Sequence, residues 1–482
     1  MRIKLFPVIF AVLALALASL ACQSLAVDDK SSSTPEVSEP ATAPESESQP
    51  QPQGQSAAPV LSMPDPVQPK GVGIACFGLQ AGGLTCLDEG GWKTFTTDNS
   101  DLPTDYLNAG AVCPDGRIAI AHYQGVSLFD GSSWQHIAKT DAYSTAEALA
   151  CASDGSIWVA HFQGVSRYSG GAWVTYASEL LATGESANQL VYGVAVDPSG
   201  LVWVVTSRSV AAFENDEWTI YQTGQGFDDS LFFNALTIDS LGRPWAGHGN
   251  GVAMFEGGSW KLAKKPDYSS PDSMIFDASG KLWLGTNISG VTAFDGATWT
   301  NFARDSGSLP SDHVNALAAD SLGRIWMGTS YGLVVVNGAD WRTYRMNNSD
   351  LGDQSVKFVV VVNDGPSLPE PVEKELASLT GTLEDASKNP LVGMRVEICV
   401  ETLGSQFSGE TPCSDQPFFL FTETDASGVF TFEDVPAGYY VIVAETGDGW
   451  AQLTDQFGIS SERTLILAGE NHDIGTLTLE EE

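Results

Sequence analysis

Residues 316–341, ALAADSLGRIWMGTSYGLVVVNGADW, contain three short apolar runs separated by turn residues. A turn from Asp320 to Gly323 follows the first run, and Gly332 separates the second run from the third. Short apolar runs bounded by Asp and Gly predict β-strands joined by tight turns. A further strand begins at Trp341. The stretch therefore predicts one unit of four short antiparallel strands.

This unit recurs along the chain. A tryptophan that follows a Gly- or Asp-containing turn returns at spacings of 42, 39, 45, 42, 39 and 42 residues, at Trp92, Trp134, Trp173, Trp218, Trp260, Trp299 and Trp341. Another aromatic residue usually stands about 15 residues earlier, at Phe77, Trp158, Trp203, Trp245, Trp283 and Trp326, with Ala119 in the remaining copy. Four short strands per period of this length predict the blades of a β-propeller, since a helical repeat would need long amphipathic runs.

The two ends of the repeat region complement each other. The first copy begins at residue 71 with its second strand, so its innermost strand is missing. The last copy contributes an innermost strand, Lys357 to Val362, and then stops. Pairing these fragments in one blade would close the ring and leave no open sheet edge. The sequence therefore predicts an all-β fold, with a seven-bladed β-propeller whose terminal strands close one blade.

The repeats resemble the two-component regulator propeller repeat, whose pattern is roughly D-x-x-G-x-I-W-x-G-T-x-x-G-V-x-x-F-D-G-x-x-W. Residues 277–299 and 320–341 match this pattern well, and the resemblance covers about 71–366. In that family, such propellers often form the periplasmic sensing part of a receptor. No kinase or response-regulator sequence follows the repeats here. The resemblance therefore implies a fold and a binding role, without a signalling output.

Residues 377–482 change in style. Thr424 to Phe432 and Val435 to Val441 alternate apolar and polar residues around Gly and Pro turns, which predicts half-buried strands. The segment resembles the carboxypeptidase regulatory-like domain, a transthyretin-type fold. The resemblance implies a small antiparallel β-sandwich with a spacer or accessory role. Residues 367–376 are the predicted linker between the two domains.

The N-terminus predicts export. Arg2 and Lys4 precede an apolar run that is short for a membrane span, which is typical of a signal peptide over 1–21. Residues 19–22, Ser-Leu-Ala-Cys, resemble a bacterial lipobox, which implies lipidation of Cys22 and anchoring in a membrane. Ordinary cleavage and full secretion are the alternative. Residues 22–70 are rich in Ser, Pro, Gln and Glu and predict a disordered tether.

Composition agrees with a location outside the cytoplasm. The formal net charge of −37 argues against a nucleic-acid partner, because phosphate binding requires clustered Lys and Arg. Six cysteines follow Cys22, an even number that suits disulfides in an oxidising compartment. The predicted pairs are Cys76 with Cys86, Cys399 with Cys413 and Cys113 with Cys151. For the last pair, free buried thiols are the alternative.

Candidate ligand-binding residues come from the loops that join the second and third strands of each unit. In an antiparallel blade these loops share a face with the crossovers between blades. Three histidines occupy one repeat position there, where other copies carry Thr206, Thr286 and Thr329. The candidates are His122, Tyr123, His161, Phe162, Arg208, His248, Asn250 and Tyr331, and the crossovers add Tyr106, Phe232, Phe233 and His313.

These side chains have three possible roles. Imidazole, aromatic and amide groups around a channel suit a glycan, a peptide or a protein ligand. Alternatively, a position that accepts either His or Thr caps the end of a strand by bonding the backbone. Zinc binding by the three histidines is disfavoured, because they come from different blades with no carboxylate fixed nearby. The Asp residues of turns such as 197–200 fit turn capping better than calcium binding.

No catalytic motif is present, and neither a cofactor nor a metal is expected. The chain contains no G-x-S-x-G elbow, no H-E-x-x-H and no phosphate-binding loop. The favoured hypothesis is a non-catalytic, sensor-like ligand-binding protein. A propeller lyase that uses His122, His161 and His248 as acid–base groups is the second hypothesis. A structural scaffold for a protein complex is the third.

Overall fold

The structure is a computed structural model that describes residues 73–139, 146–181, 190–222, 232–265, 269–400, 411–414, 416–447, 449–453 and 463–479. The predicted signal peptide, Cys22 and the whole predicted tether lie outside these residues. Among the described residues, no helix has the length and apolar character needed to span a membrane.

Residues 75–361 form 28 short strands in the described part of the chain. The first fifteen are β1 (Ala75–Leu79), β2 (Leu84–Asp88), β3 (Gly91–Phe95), β4 (Ala109–Val112), β5 (Ile118–His122), β6 (Gly125–Phe129), β7 (Trp134–Ala138), β8 (Ala146–Cys151), β9 (Ile157–His161), β10 (Gly164–Ser169), β11 (Ala172–Ala177), β12 (Val191–Val196), β13 (Val202–Thr206), β14 (Ser209–Glu214) and β15 (Glu217–Gln222). The others are β16 (Phe233–Ile238), β17 (Pro244–His248), β18 (Gly251–Glu256), β19 (Ser259–Lys264), β20 (Pro271–Phe276), β21 (Leu282–Thr286), β22 (Val291–Phe294), β23 (Trp299–Phe302), β24 (Val314–Ala319), β25 (Ile325–Thr329), β26 (Gly332–Asn337), β27 (Asp340–Tyr344) and β28 (Val356–Val361). Two 3-10 helices, Ser178–Leu181 and Arg304–Ser306, lie in crossovers.

Within the described residues, these strands form seven four-stranded antiparallel sheets. Six sheets use four consecutive strands each, from β4–β7 to β24–β27, and we number them blades 2 to 7. Blade 1 has the order β28-β1-β2-β3, so its innermost strand comes from the far end of the repeat region. Phe77 lies opposite Val359 in this pair. The predicted closure by the two terminal fragments is confirmed.

The innermost strands contact one another in a cycle. Each of β4, β8, β12, β16, β20 and β24 contacts the innermost strand of the next blade, and β28 returns to contact β4. The ring of Phe358 on β28 packs directly over two glycines. A Cβ atom would lie 1.9 Å from this ring at Gly78 and 2.3 Å from it at Gly110. A larger residue at either glycine would displace the closing strand.

The repeated aromatic residues fill the space between blades. Trp158 packs edge-on against Phe213 of the next blade, with ring centroids 5.1 Å apart. Trp203 packs at a tilt against Phe255 of the next blade, with ring centroids 5.5 Å apart. At the closing point, Trp326 of blade 7 stacks on Phe77 of blade 1 at 6.0 Å. Because aromatic side chains bury a large apolar area, these contacts bind neighbouring blades together.

The Asp and Gly turns hold the buried tryptophans in place. Asp277 accepts the N–H groups of Ser279 and Lys281 within its turn, and its second oxygen accepts the indole N–H of Trp283 at 2.8 Å. Asp239 with Trp245 and Asp320 with Trp326 repeat the arrangement. One carboxylate thus satisfies both a turn and a buried indole, which agrees with turn capping.

Three disulfides join the cysteines in the predicted pairs. Cys76–Cys86 links the facing strands β1 and β2, and Cys399–Cys413 lies in the C-terminal domain. Cys113–Cys151 connects the C-terminal ends of the innermost strands of blades 2 and 3, β4 and β8. Disulfides persist in oxidising compartments outside the cytoplasm, so their presence agrees with the predicted export.

The C-terminal domain contains two sheets in its described residues. Its strands are β29 (Ala377–Asp385), β30 (Arg395–Cys399), β31 (Phe419–Glu423), β32 (Val429–Val435), β33 (Gly438–Thr446), β34 (Gly449–Leu453), β35 (Thr464–Ile466) and β36 (Asn471–Leu479). One sheet has the order β32-β29-β36, and the other β31-β30-β33-β34 with β35 beside β33. Strands β29 and β36 pair in parallel, which differs from the predicted antiparallel arrangement. They come from opposite ends of the domain, so no hairpin forces them to run in opposite directions.

The bridge between blades 2 and 3 should stabilise the ring. Replacing Cys113 and Cys151 together by Ser should lower the free energy of unfolding by about 2–4 kcal/mol, because the bridge restricts the unfolded chain. Urea unfolding followed by tryptophan fluorescence measures the change, with the parent chain under oxidising conditions as the control. An unchanged unfolding midpoint would contradict this role.

Candidate functional site

Six of the seven innermost strands share an irregularity near their first residue. The pairing register shifts between Ala146 and Ala148, and at the equivalent places in β12, β16, β20 and β24. On β28, the register shifts between Val356, which pairs with Leu79, and Phe358, which pairs with Gly78. Lys357 lies at this shift. Such β-bulges turn one side chain away from the regular alternation of a strand. In blade 2, Asn108 precedes β4 and donates its N–H to Ala121.

The residues at these seven positions are all polar, and we call them the channel ring: Asn108, Glu147, Tyr192, Asn234, Asp272, Asn315 and Lys357. Six of them line a cavity of about 300 Å³. The seventh, Asn234, does not line it, but the next residue, Ala235, does. The cavity lies where the innermost strands begin. This end of the channel is on the face that carries the crossovers and the loops between second and third strands, which we call the upper face.

The channel ring carries two carboxylates. Glu147 belongs to blade 3 and Asp272 to blade 6, and both side chains are exposed to the channel. The channel wall still removes much of the water around Asp272, and this burial together with the charge of Glu147 raises the pKa of Asp272 to about 6. Burial, Glu147 and Asp272 also raise the pKa of Tyr192. The cavity is therefore an electronegative environment that favours retention of a proton.

Neighbouring blades fix part of the ring. The side-chain amide of Asn315 donates to the carbonyl oxygen of Val356 on the adjacent innermost strand, at 2.9 Å. Beside Asp272, the Ser273 hydroxyl accepts the N–H of Leu317 at 2.9 Å. A site built on packed strands holds its polar groups with little freedom, which favours a defined ligand geometry.

The three predicted histidines are buried. His122, His161 and His248 are 1%, 1% and 2% exposed. Nδ1 of each accepts the backbone N–H of the residue two positions later, at 3.2 Å, the donors being Gln124, Gln163 and Asn250. Thr206 and Thr329 accept equivalent N–H groups. These hydrogen bonds agree with the second interpretation, in which the position caps the end of a strand.

The other imidazole nitrogen points into the blade. Nε2 of His122 and of His161 lies 2.9 Å from the hydroxyl of Ser127 and Ser166, respectively. In blade 5, Ala253 stands at this strand position, and Nε2 of His248 is buried with no hydrogen-bond partner. Burial lowers the pKa of His122 and of His248 to about 4, so both are neutral near pH 7.

Predicted aromatic residues do reach the upper face. Tyr106, Tyr123, Phe162 and Phe232 are between 40% and 49% exposed, and we call them the aromatic rim. The guanidinium of Arg208 lies 4.5 Å from the ring centre of Phe232. Asn250 and His313 are half-buried. Phe233 was predicted to lie in a crossover on this face. It is instead the first residue of β16, and its side chain is fully buried.

Tyr331 is not part of the open upper face. It is 8% exposed because the C-terminal domain covers it, with Phe418 and Tyr440 in the same apolar cluster. Two polar contacts support this docking. Arg463 forms a buried two-point ion pair with Asp353, at 2.6 and 3.1 Å, and Oε1 of Gln354 accepts the N–H of Tyr439 at 2.9 Å. The domain therefore covers the side of the face at blades 7 and 1.

The channel ring was not among the residues predicted from the sequence. A signal was present, because the second residue of six innermost strands is polar and in most of them lies between apolar neighbours, as in Val314-Asn315-Ala316. Simple alternation explains such a residue without a bulge, so the pattern by itself did not distinguish a channel side chain. Among the described residues, no three His, Cys, Asp or Glu side chains are grouped as a metal site would require.

The buried histidine position should matter for stability. Replacing His161 by Ala removes the acceptor of the Gln163 N–H and one of the two partners of the Ser166 hydroxyl, and should lower the free energy of unfolding by about 2 kcal/mol. Its neighbour Phe162 is exposed, so Phe162→Ala should change this quantity by less than about 0.5 kcal/mol. Urea unfolding measures both, and equal stability of the two variants would contradict the capping role.

Comparison with known proteins gives one sequence match and several distant structural ones. A family model described as two component regulator propeller matches residues 308–331. No curated protein matches the chain. Virginiamycin B lyase from Staphylococcus aureus is 15% identical, with a TM-score of 0.45 over 54% of this chain and 92% of the lyase. The extracellular domain of BT4673 from B. thetaiotaomicron is 14% identical, with a TM-score of 0.45 over 85% of this chain and 61% of that chain. PorZ, a surface component of the type-IX secretion system of Porphyromonas gingivalis, is 14% identical, with a TM-score of 0.44 over 77% of this chain and 62% of the PorZ chain.

Proposed function

We propose that this chain is an extracytoplasmic, sensor-like protein that binds a glycan, peptide or protein over the propeller channel without transforming it. The observation that carries the proposal is the polar channel ring beside an exposed aromatic rim on one face. Concave sites with a few fixed polar groups and aromatic surroundings are typical of ligand binding. The buried histidines have no direct part in this function.

Other features support the cellular setting of the proposal. The three disulfides suit an oxidising compartment, and the predicted signal peptide would deliver the chain there. Lipidation of Cys22 would anchor the protein to the membrane, with residues 22–70 as a tether. The C-terminal domain, which resembles the carboxypeptidase regulatory-like family, would act as an accessory that shapes the upper face.

An enzyme is the second candidate, and one observation favours it. The pKa of Asp272 is raised to about 6 by burial and by Glu147, and paired carboxyl groups of this kind serve as acid and base in lyases and hydrolases. In this variant of the lyase hypothesis, Asp272 and Glu147 replace the three histidines as the acid–base groups.

A glycan and peptide array tests the proposal. The purified chain from residue 71 onward should bind a restricted set of ligands, and Tyr123→Ala with Phe162→Ala should weaken that binding about tenfold, because the rim loses two of its four exposed rings. Val174→Ala is the matched control, since Val174 is 51% exposed on the outermost strand of blade 3.

Three outcomes of the array are informative. Binding that the rim variant loses, with no chemical change in the ligand, supports the proposal. Turnover of any array ligand transfers support to the enzyme. Failure to bind any array ligand, or binding that the rim variant leaves unchanged, contradicts ligand binding at the upper face.

A further inference from the structure

We infer that the Cys113–Cys151 disulfide is a thiol-exchange site, at which an incoming thiolate reversibly opens the bridge between blades 2 and 3 and loosens their packing. The observation that carries this inference is a cavity of about 200 Å³ that both cysteines line. The cavity lies among the turns 113–116 and 152–155, at the ends of β4 and β8 that are remote from the channel ring. The site is therefore on the face opposite the aromatic rim, and it is independent of the proposed ligand binding.

The three disulfides differ in their access to solvent. In the other two bridges no cysteine is more than 3% exposed. Cys113 is 8% exposed and Cys151 is half-buried. The rate of thiol–disulfide exchange depends on whether a thiolate can reach a sulfur atom. Exchange should therefore select the Cys113–Cys151 bridge.

The cavity has an apolar interior and a polar lip. Its apolar lining comes from facing strands of blades 2 and 3, namely Leu128, Ile137, Ile157 and Tyr168. At the lip, Arg117 donates to the Asp115 carboxylate and to the side-chain oxygen of Gln135, each at 2.8 Å. The volume is room for roughly seven water molecules. A thiol carried on a small uncharged group, or on a narrow loop of a protein, fits this space.

The exchange is balanced over two steps. An incoming thiolate attacks Sγ of Cys151, the more exposed sulfur-bearing residue, and the S–S bond breaks as Cys113 leaves as a thiolate and takes up a proton. A second thiolate attacks the external sulfur of the mixed disulfide and releases Cys151, which also takes up a proton. Two external thiols are thereby oxidised to one disulfide, and two electrons and two protons reduce the bridge to two thiols. In a dithiol protein, both external thiols belong to one molecule.

Reduction at this site would release a connection between neighbouring blades. Strands β4 and β8 lie in different sheets, so no ladder hydrogen bonds join them, and the bridge closes a segment of 38 residues. Cys76–Cys86, in contrast, joins two strands that are already paired, over 10 residues. A bridge across the longer segment restricts the chain more. Opening Cys113–Cys151 should therefore loosen the packing of blades 2 and 3.

Alkylation of the folded full chain tests the selectivity. The protein is treated with 2-mercaptoethanol or with reduced thioredoxin, alkylated with iodoacetamide, and mapped by mass spectrometry of its peptides. Cys113 and Cys151 should be alkylated at least about tenfold faster than the cysteines of the other two bridges, because the cavity admits the thiolate. Reaction with 2-mercaptoethanol alone would assign the site to small thiols, and reaction with thioredoxin would assign it to a dithiol protein.

A variant that covers the cavity tests the role of access. Ser153 is exposed and lines the cavity. Ser153→Trp should slow the alkylation of Cys113 and Cys151 about tenfold, because the indole would cover the opening. Ser240→Trp is the matched control, since Ser240 is also exposed and occupies the same position of the equivalent turn in blade 5. A thermal unfolding scan verifies that each variant is folded.

Hydrogen exchange measures the loosening. After selective reduction, the backbone amides of β4 and β8 should exchange about tenfold faster, because these strands lose their covalent connection. Hydroxyethyl disulfide should restore both the bridge and the original exchange rates. The amides of β29 and β36 in the C-terminal domain are the internal control.

Four results would overturn the inference. They are equal alkylation rates at all three bridges, reduction that requires a denaturant, an unchanged alkylation rate in Ser153→Trp, and unchanged amide exchange in β4 and β8 after reduction.

Discussion

The pairing of β28 with β1 is the constraint on which the rest of the propeller depends. Residues about 280 positions apart lie side by side, as Phe77 does with Val359, and the two chain ends thereby form one blade. Without this pairing, β1 and β28 would each expose an unpaired edge. The stacking of Trp326 on Phe77 and the seating of Phe358 over Gly78 and Gly110 both require it.

Closure also determines what the upper face contains. The cycle of innermost strands brings the channel-ring residues together, and six of them line one cavity, although they are spread over about 250 residues of sequence. The same strand, β28, contributes Lys357 to the ring, and the preceding residues Asp353 and Gln354 hold the C-terminal domain. The strand that closes the propeller is thus also the connection between the channel and the second domain.

The sequence predicts the blades because large aromatic residues and turn aspartates recur at the period of the repeat. One such pair is Trp283, whose indole N–H donates a hydrogen bond to Asp277 in the preceding turn. The sequence predicts the candidate site less well. His161 and Thr206 share a position, and only the hydrogen bonds to the following turn show that both point inward. The covering of Tyr331 depends on the docking of a distant domain, which no local pattern encodes. The channel ring depends on bulges, and these follow from register and not from composition.

Disulfide trapping of the closing pair tests the central claim most directly. Ala75 and Val361 lie opposite each other in β1 and β28. With both replaced by Cys, the account predicts a fourth disulfide, seen by peptide mapping without reduction as a link between these two positions. Two free thiols at residues 75 and 361 in the oxidised, folded protein would contradict closure of the ring.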